Sequence, residues 1–133
     1  MKAQVAIEYI TIISIAFIIL LPLILYVNDL LSDYNDDTRI SLAKNTVKKL
    51  GENIDWVYAQ GQPAKVSIQI YIPDGITEIS LNNKTILFKI KTSAGISDIF
   101  YETVPFLNGS VPTTEGYYWV SLVSYENYVN ISW

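Results

Sequence analysis

The sequence predicts an α+β protein in which a long N-terminal hydrophobic α-helix forms a stem and packs its C-terminal half on an antiparallel β-sheet head. Three observations predict it. Residues Tyr9 through Asn28 carry no charge, and an apolar run of that length suffices to cross roughly 30 Å of hydrocarbon as a helix. Ile40, Ala43, Val47, Leu50, Ile54 and Val57 recur in steps of three and four, which lines them along one helical face. From Lys65 onward the apolar period falls to two. The expected segments are 4–28 as a hydrophobic, membrane-spanning stem helix, 29–62 as its amphipathic continuation and 63–133 as the head.

The stem opens Lys2-Ala3-Gln4-Val5-Ala6-Ile7-Glu8-Tyr9 and places one carboxylate at the mouth of the apolar run. A charge in a bilayer costs a few kcal/mol even on the gentler scales, so such an acid calls for a partner. The plainer alternative is a carboxylate that snorkels to the interface, favoured by its own helix N-terminus. Pro22 lies inside the run, where it withholds one backbone donor and predicts a kink. Membrane helices tolerate proline when neighbours satisfy the freed carbonyl; the other reading, a helix loosened for packing around a filament axis, is one that only the family resemblance given below implies.

Lys44, Lys48, Lys49, Glu52 and Asp55 fall off the apolar stripe of the second segment, and Gly61 with Pro63 supplies its stop signal. A helix continuous from Gln4 to Gln60 would be about 85 Å long at 1.5 Å per residue. Asp29, Asp33, Asp36 and Asp37 form an acidic neck after the stem. Carboxylates are calcium ligands, but this spacing matches no calcium loop, so a solvated neck is preferred and no metal is expected.

In the head, Val66, Ile68, Ile70 and Ile72 alternate with polar neighbours as a half-buried strand. Pro73-Asp74-Gly75 is a turn, 76–81 a second strand, and Asn82-Asn83 opens a hairpin into 85–92. Further strands are expected at 96–104, 117–124 and 128–133, all in one antiparallel meander. Pro105 to Gly116, with two prolines and two glycines, reads as an exposed loop. The aromatics Tyr117, Tyr118, Trp119, Tyr125, Tyr128 and Trp133 either fill the sheet core and stabilise cross-strand pairs or form an exposed patch for surface adhesion or for contact between neighbouring heads.

Composition narrows function. Nine basic against thirteen acidic residues, with no basic stripe, argue against nucleic acid. The chain has no Cys and no His, which removes thiol nucleophiles, zinc sites and imidazole bases, so neither an enzyme nor a cofactor is expected. Lys2 before the run and four aspartates after it orient the N-terminus toward the cytoplasm and the head outward. A conventional cleaved secretory signal would need a small-residue site after Val27, where none stands. Three Asn-x-Ser/Thr acceptors occur at Asn83, Asn108 and Asn130, against about 1.4 expected by chance from nine asparagines and twenty hydroxyl residues. All three lie in the outward head, with Asn83 and Asn108 expected in turns and Asn108 the favoured acceptor of an N-glycan.

The pattern Lys2-Ala3-Gln4-x-Ala6-x-Glu8-Tyr9 ahead of a long apolar helix resembles the class III signal of archaeal type IV pilins. The stretches from Val57 to Val66 and from Ile72 to Gly75 are similar to the helix-to-sheet passage of such proteins. The resemblance covers the N-terminal half. It implies a leader of residues 1–3, shorter than is usual there, that a membrane-embedded prepilin peptidase cuts between Ala3 and Gln4. It also implies that Glu8 meets the new amine of Gln4 on a neighbouring subunit, although an N-terminal glutamine can cyclise and leave Glu8 to another donor. The function so implied is that of a structural subunit of a surface filament for adhesion or cell-surface contact. Such a subunit is membrane-anchored before assembly and handled by an assembly platform and its ATPase. An archaellin-like filament subunit is a near alternative, and a membrane-tethered extracellular binding protein is the rival from another class.

Overall fold

The computed structural model describes residues 1–133, the side chain of Lys2 excepted. One helix and seven strands follow in order: α1 Lys2–Gln60, β1 Lys65–Ile72, β2 Ile76–Asn82, β3 Thr85–Thr92, β4 Gly95–Glu102, β5 Phe106–Gly109, β6 Gly116–Ser124 and β7 Tyr128–Ser132. The chain divides into two compact units, Met1–Asn35 and Asp36–Trp133. The class is α+β, with the apolar helix passing into the head unit.

In the head unit the stripe on α1 is buried as its spacing requires. Ala43, Leu50, Ile54 and Val57 are fully covered and Val47 nearly so, while Ile40 packs at the margin. They join Ile68, Ile70 and Ile72 of β1, Ile86, Phe88 and Ile90 of β3, Val120 and Leu122 of β6, and Val129 and Ile131 of β7 in one core. Complete burial of each such side chain contributes about 1.5–3 kcal/mol. Gly61 ends the helix in a left-handed conformation, φ 79°, its N–H donating to the carbonyl of Tyr58 at 3.0 Å.

The strands form two sheets rather than one meander. One has the order β1-β6-β7-β5 and the other β2-β3-β4. All neighbours are antiparallel except β5 and β7, which are parallel. β7 inserts between β6 and β5, antiparallel to the first and parallel to the second. The expected loop 105–116 therefore contains a strand, and Val111 within it is buried. A four-residue edge strand with Asn and Gly in it carries too little alternation to announce itself. It is anchored by Leu107 N–H donating to the carbonyl of Asn83 at 2.6 Å. The expected hairpin at Asn83 is present: among the described residues Asn83 is the one non-glycine with positive φ, 51°, at the first central position of the β2–β3 turn.

Helix side chains close the open edge of β1. Thr46 Oγ1 donates to the carbonyl of Tyr71, and Lys49 Nζ donates to that of Gln69 at 2.7 Å. These are the unpaired edge acceptors that would otherwise invite a further strand.

Gly51, in the middle of α1, has a packing reason. A Cβ there would lie 2.2 Å from Cδ1 of Tyr101 and 2.4 Å from Cε1. The ring is held in place, for the Tyr101 hydroxyl donates to Asp55 Oδ2 at 3.3 Å. Replacing Gly by Ala in an exposed helix interior gains about 1 kcal/mol, but overpacking costs about 1–3 kcal/mol. Gly51→Ala is therefore expected to destabilise the head, and to become stabilising in a Tyr101→Ala background. Thermal unfolding of the four proteins checks both signs.

Candidate functional site

The N-terminal unit is apolar on every side. From Val5 to Leu31 each large apolar side chain is between 43 and 68% exposed, so nothing within the unit covers it. A contiguous surface of that extent marks a membrane or protein contact. The two aliphatic hydroxyls on this surface are satisfied internally: Thr11 Oγ1 donates to the carbonyl of Ile7 at 2.8 Å and Ser14 Oγ to that of Ile10 at 2.7 Å. Such back-bonding removes the cost of a bare hydroxyl in hydrocarbon. The helix runs through Pro22, which has no N–H to give to the carbonyl of Ile18. A neighbouring helix has to satisfy that group if water does not.

Glu8 is exposed on this surface, one helical turn beyond Gln4 on the same face. Ala3 and Gln4 are likewise exposed in the first turn, where Val5 N–H reaches the carbonyl of Met1 at 3.3 Å. The expected cleavage pair and the acid thus occupy one accessible end of the helix.

The acidic neck is not uniform. Asp29, Asp33 and Asp37 are exposed, whereas Asp36 is tied into the head: Ser93 N–H donates to its Oδ2 at 2.7 Å. Arg39 lies 4.0 Å from Asp36 and donates to Asp74 at 2.7 Å. One aspartate and one arginine thereby hold the β1–β2 and β3–β4 turns against the helix. These contacts join residues 35 to 57 positions apart, so no local pattern in the sequence pointed to them. Asp55 does the same at the far end, accepting from Val104 N–H at 2.8 Å. Among the described residues no group of acids could hold a metal ion.

Hydrogen bonds from Ser93, aided by the Arg39 charge, hold the Asp36 carboxyl below its ordinary value of 3.8. A depressed native pKa gives stability that is present above the unfolded value and lost as pH falls through the folded one. Asp36→Asn is therefore expected to lower head stability at neutral pH, with the gap to wild type narrowing as pH drops below 3.8. Unfolding midpoints of the detergent-solubilised chain from pH 7 to 3, on the order of five points, test this.

One glycan acceptor, Asn108, occupies a different setting from that expected. Asn83 is exposed in its turn, but Asn108 lies on β5 rather than in a turn, and in register with Asn130 on β7. Both therefore emerge on one sheet face. Of the aromatics, Tyr118 packs against the core and meets Trp133 edge-on at 5.7 Å. Tyr117 and Trp119 alternate with it on the outer face, and Tyr117 lies 4.8 Å from Tyr71. Core-packed and exposed placements of the aromatics thus both occur, on alternate residues of one strand.

Comparisons of the chain with protein-family models, with curated proteins and with solved structures returned no match. Fold and surface define its class: an α+β protein whose N-terminal helix is, by length and composition, able to cross a membrane, as an anchor or a signal.

Proposed function

We propose that this chain is a structural subunit of an archaeal type IV pilus-like surface filament, anchored in the membrane before assembly and polymerised through its N-terminal helix. The observation that carries the reading is an apolar helix surface exposed all round with a single carboxylate, Glu8, near its start. In lipid that surface is content; in a bundle of copies it trades hydrocarbon for protein. The peptidase frees an amine at Gln4, and this amine neutralises Glu8 of the adjacent stem, so two charges are satisfied together in a medium that tolerates neither alone. Subunit extraction then costs less. The carbonyl left without a donor by Pro22 and the self-satisfied hydroxyls of Thr11 and Ser14 suit helix-on-helix packing in a dry core.

Heads face outward on this reading. Asn83, Asn108 and Asn130 are then accessible to N-glycosylation, with Asn83, in an exposed turn, better placed than the adjacent pair Asn108 and Asn130. Tyr117 and Trp119 are available for adhesion to surfaces. The chain does no chemistry of its own and takes no cofactor. Electron microscopy of surface filaments, with N-terminal sequencing of their subunit, tests the reading: the expected result is filaments built of this chain beginning at Gln4. Retention of Met1 in assembled subunits, or absence of the chain from filaments, would overturn it.

A further inference from the structure

Between α1 and β4 runs a groove whose helix wall carries Lys44 and Lys48 and whose floor is Val47 and Ile99, with Phe100 and Asp98 on the strand side. The floor is apolar, and Phe100 at the rim is 70% exposed. β4 is an edge of its sheet, so nothing within the sheet lies beyond it. The two lysines are exposed one turn apart. Lys48 has a surface contact with Glu52 at 3.7 Å, of the kind that exchanges readily. Asp98 on the opposite wall is in register with Lys89 of β3.

Charge along α1 is segregated into two blocks. Residues 29–37 hold four aspartates and no base, whereas 39–49 hold Arg39, Lys44, Lys48 and Lys49 and no acid. Parallel copies in register set like against like. A stagger of fifteen residues sets Asp29 against Lys44 and Asp33 against Lys48. The spacings agree, since the members of each pair are four residues, one helical turn, apart. Leu30, 55% exposed between the two aspartates, then faces the apolar floor.

Resting on the self-assembling reading above, we propose that this groove seats the neck helix of a second copy, Asp29 pairing with Lys44, Asp33 with Lys48, and Leu30 covering Val47 and Ile99. The contact joins a neighbour farther along the filament than the one whose amine meets Glu8. It makes the blocks a register device: complementary charge fixes which copies sit side by side.

The chain has no cysteine, so Asp33→Cys and Lys48→Cys introduced together are the only thiols. A band at a multiple of the chain mass on a denaturing gel reports a bridge that joins two copies, because a bridge within one copy leaves the mass unchanged. Oxidised filaments of the double variant are expected to give a ladder of covalent oligomers of this chain, and each single variant none. Lys44→Glu with Lys48→Glu should cut filament yield about tenfold or more, and adding Asp29→Lys with Asp33→Lys should restore it. The interface is overturned if filaments of the double-cysteine variant stay monomeric, if the cross-linked band holds a different protein, or if the charge-reversed lysines assemble normally or are not rescued. Absence of filaments from the wild type would instead remove the functional reading, and this interface with it.

Discussion

Glu8→Ala is expected to leave the protein inserted in the membrane and cleaved at its leader, while filaments disappear. Insertion depends on the uncharged run from Tyr9 to Asn28, which the substitution does not touch. Assembly, on the proposed mechanism, depends on pairing the carboxylate with the amine of the next subunit. Without the acid, that amine enters the apolar bundle unpaired, at about 2.5–3.5 kcal/mol on the gentler insertion scales. Every 1.4 kcal/mol is a factor of about ten in an equilibrium constant, so each addition step weakens by roughly a hundredfold, more than a growing polymer tolerates. Glu8→Gln keeps shape and hydrogen bonding without charge, and should also assemble poorly. Counting filaments by electron microscopy, with membrane fractionation to verify insertion, reads both effects. Normal filaments from Glu8→Ala would refute the pairing role.

Phe88→Ala is expected to unfold the head at physiological temperature and, on the membrane-anchored reading proposed above, to leave the chain in the membrane. Phe88 is fully buried on β3, the middle strand of its sheet, in register with Ile79 on one side and Ile99 on the other. Truncation of a buried Phe costs about 3–5 kcal/mol, from lost transfer energy and from the cavity that remains. Domains of this size hold only about 5–15 kcal/mol in all. Phe88→Leu, nearer in volume, should cost much less. Proteolysis reads the difference: the head of Phe88→Ala is digested, while on the membrane-anchored reading proposed above the apolar helix stays with the bilayer. Resistance equal to wild type would show that the core is more plastic than its complete burial implies.

The long helix and most of the strands were legible because their signals are local. An uncharged run, a stripe in steps of three and four, and alternation from Lys65 each report the surroundings of a residue through its near neighbours, and α1, β1 and β3 follow them closely. Asn83 was legible too, since few residues accept a left-handed conformation at such a turn. β5 was not. Its pairing with β7 depends on a partner more than twenty residues away, and its four residues show no period of their own. Asn108 was misplaced with it, in a turn rather than on a strand. The splitting into two sheets was hidden for the same reason, because alternation tells which face of a strand is buried and not which strand lies beside it.

By itself the sequence determined the α+β class, the apolar helix and the stripe that covers the head core, because periodicity and hydropathy are written residue by residue. Only the tertiary structure decided the order of the strands, the tie of Asp36 and Arg39 to two distant turns, the ring of Tyr101 against Gly51 and the groove beside Lys44 and Lys48. Those contacts join residues far apart in the chain, and their free energy exists only once the intervening chain has been ordered.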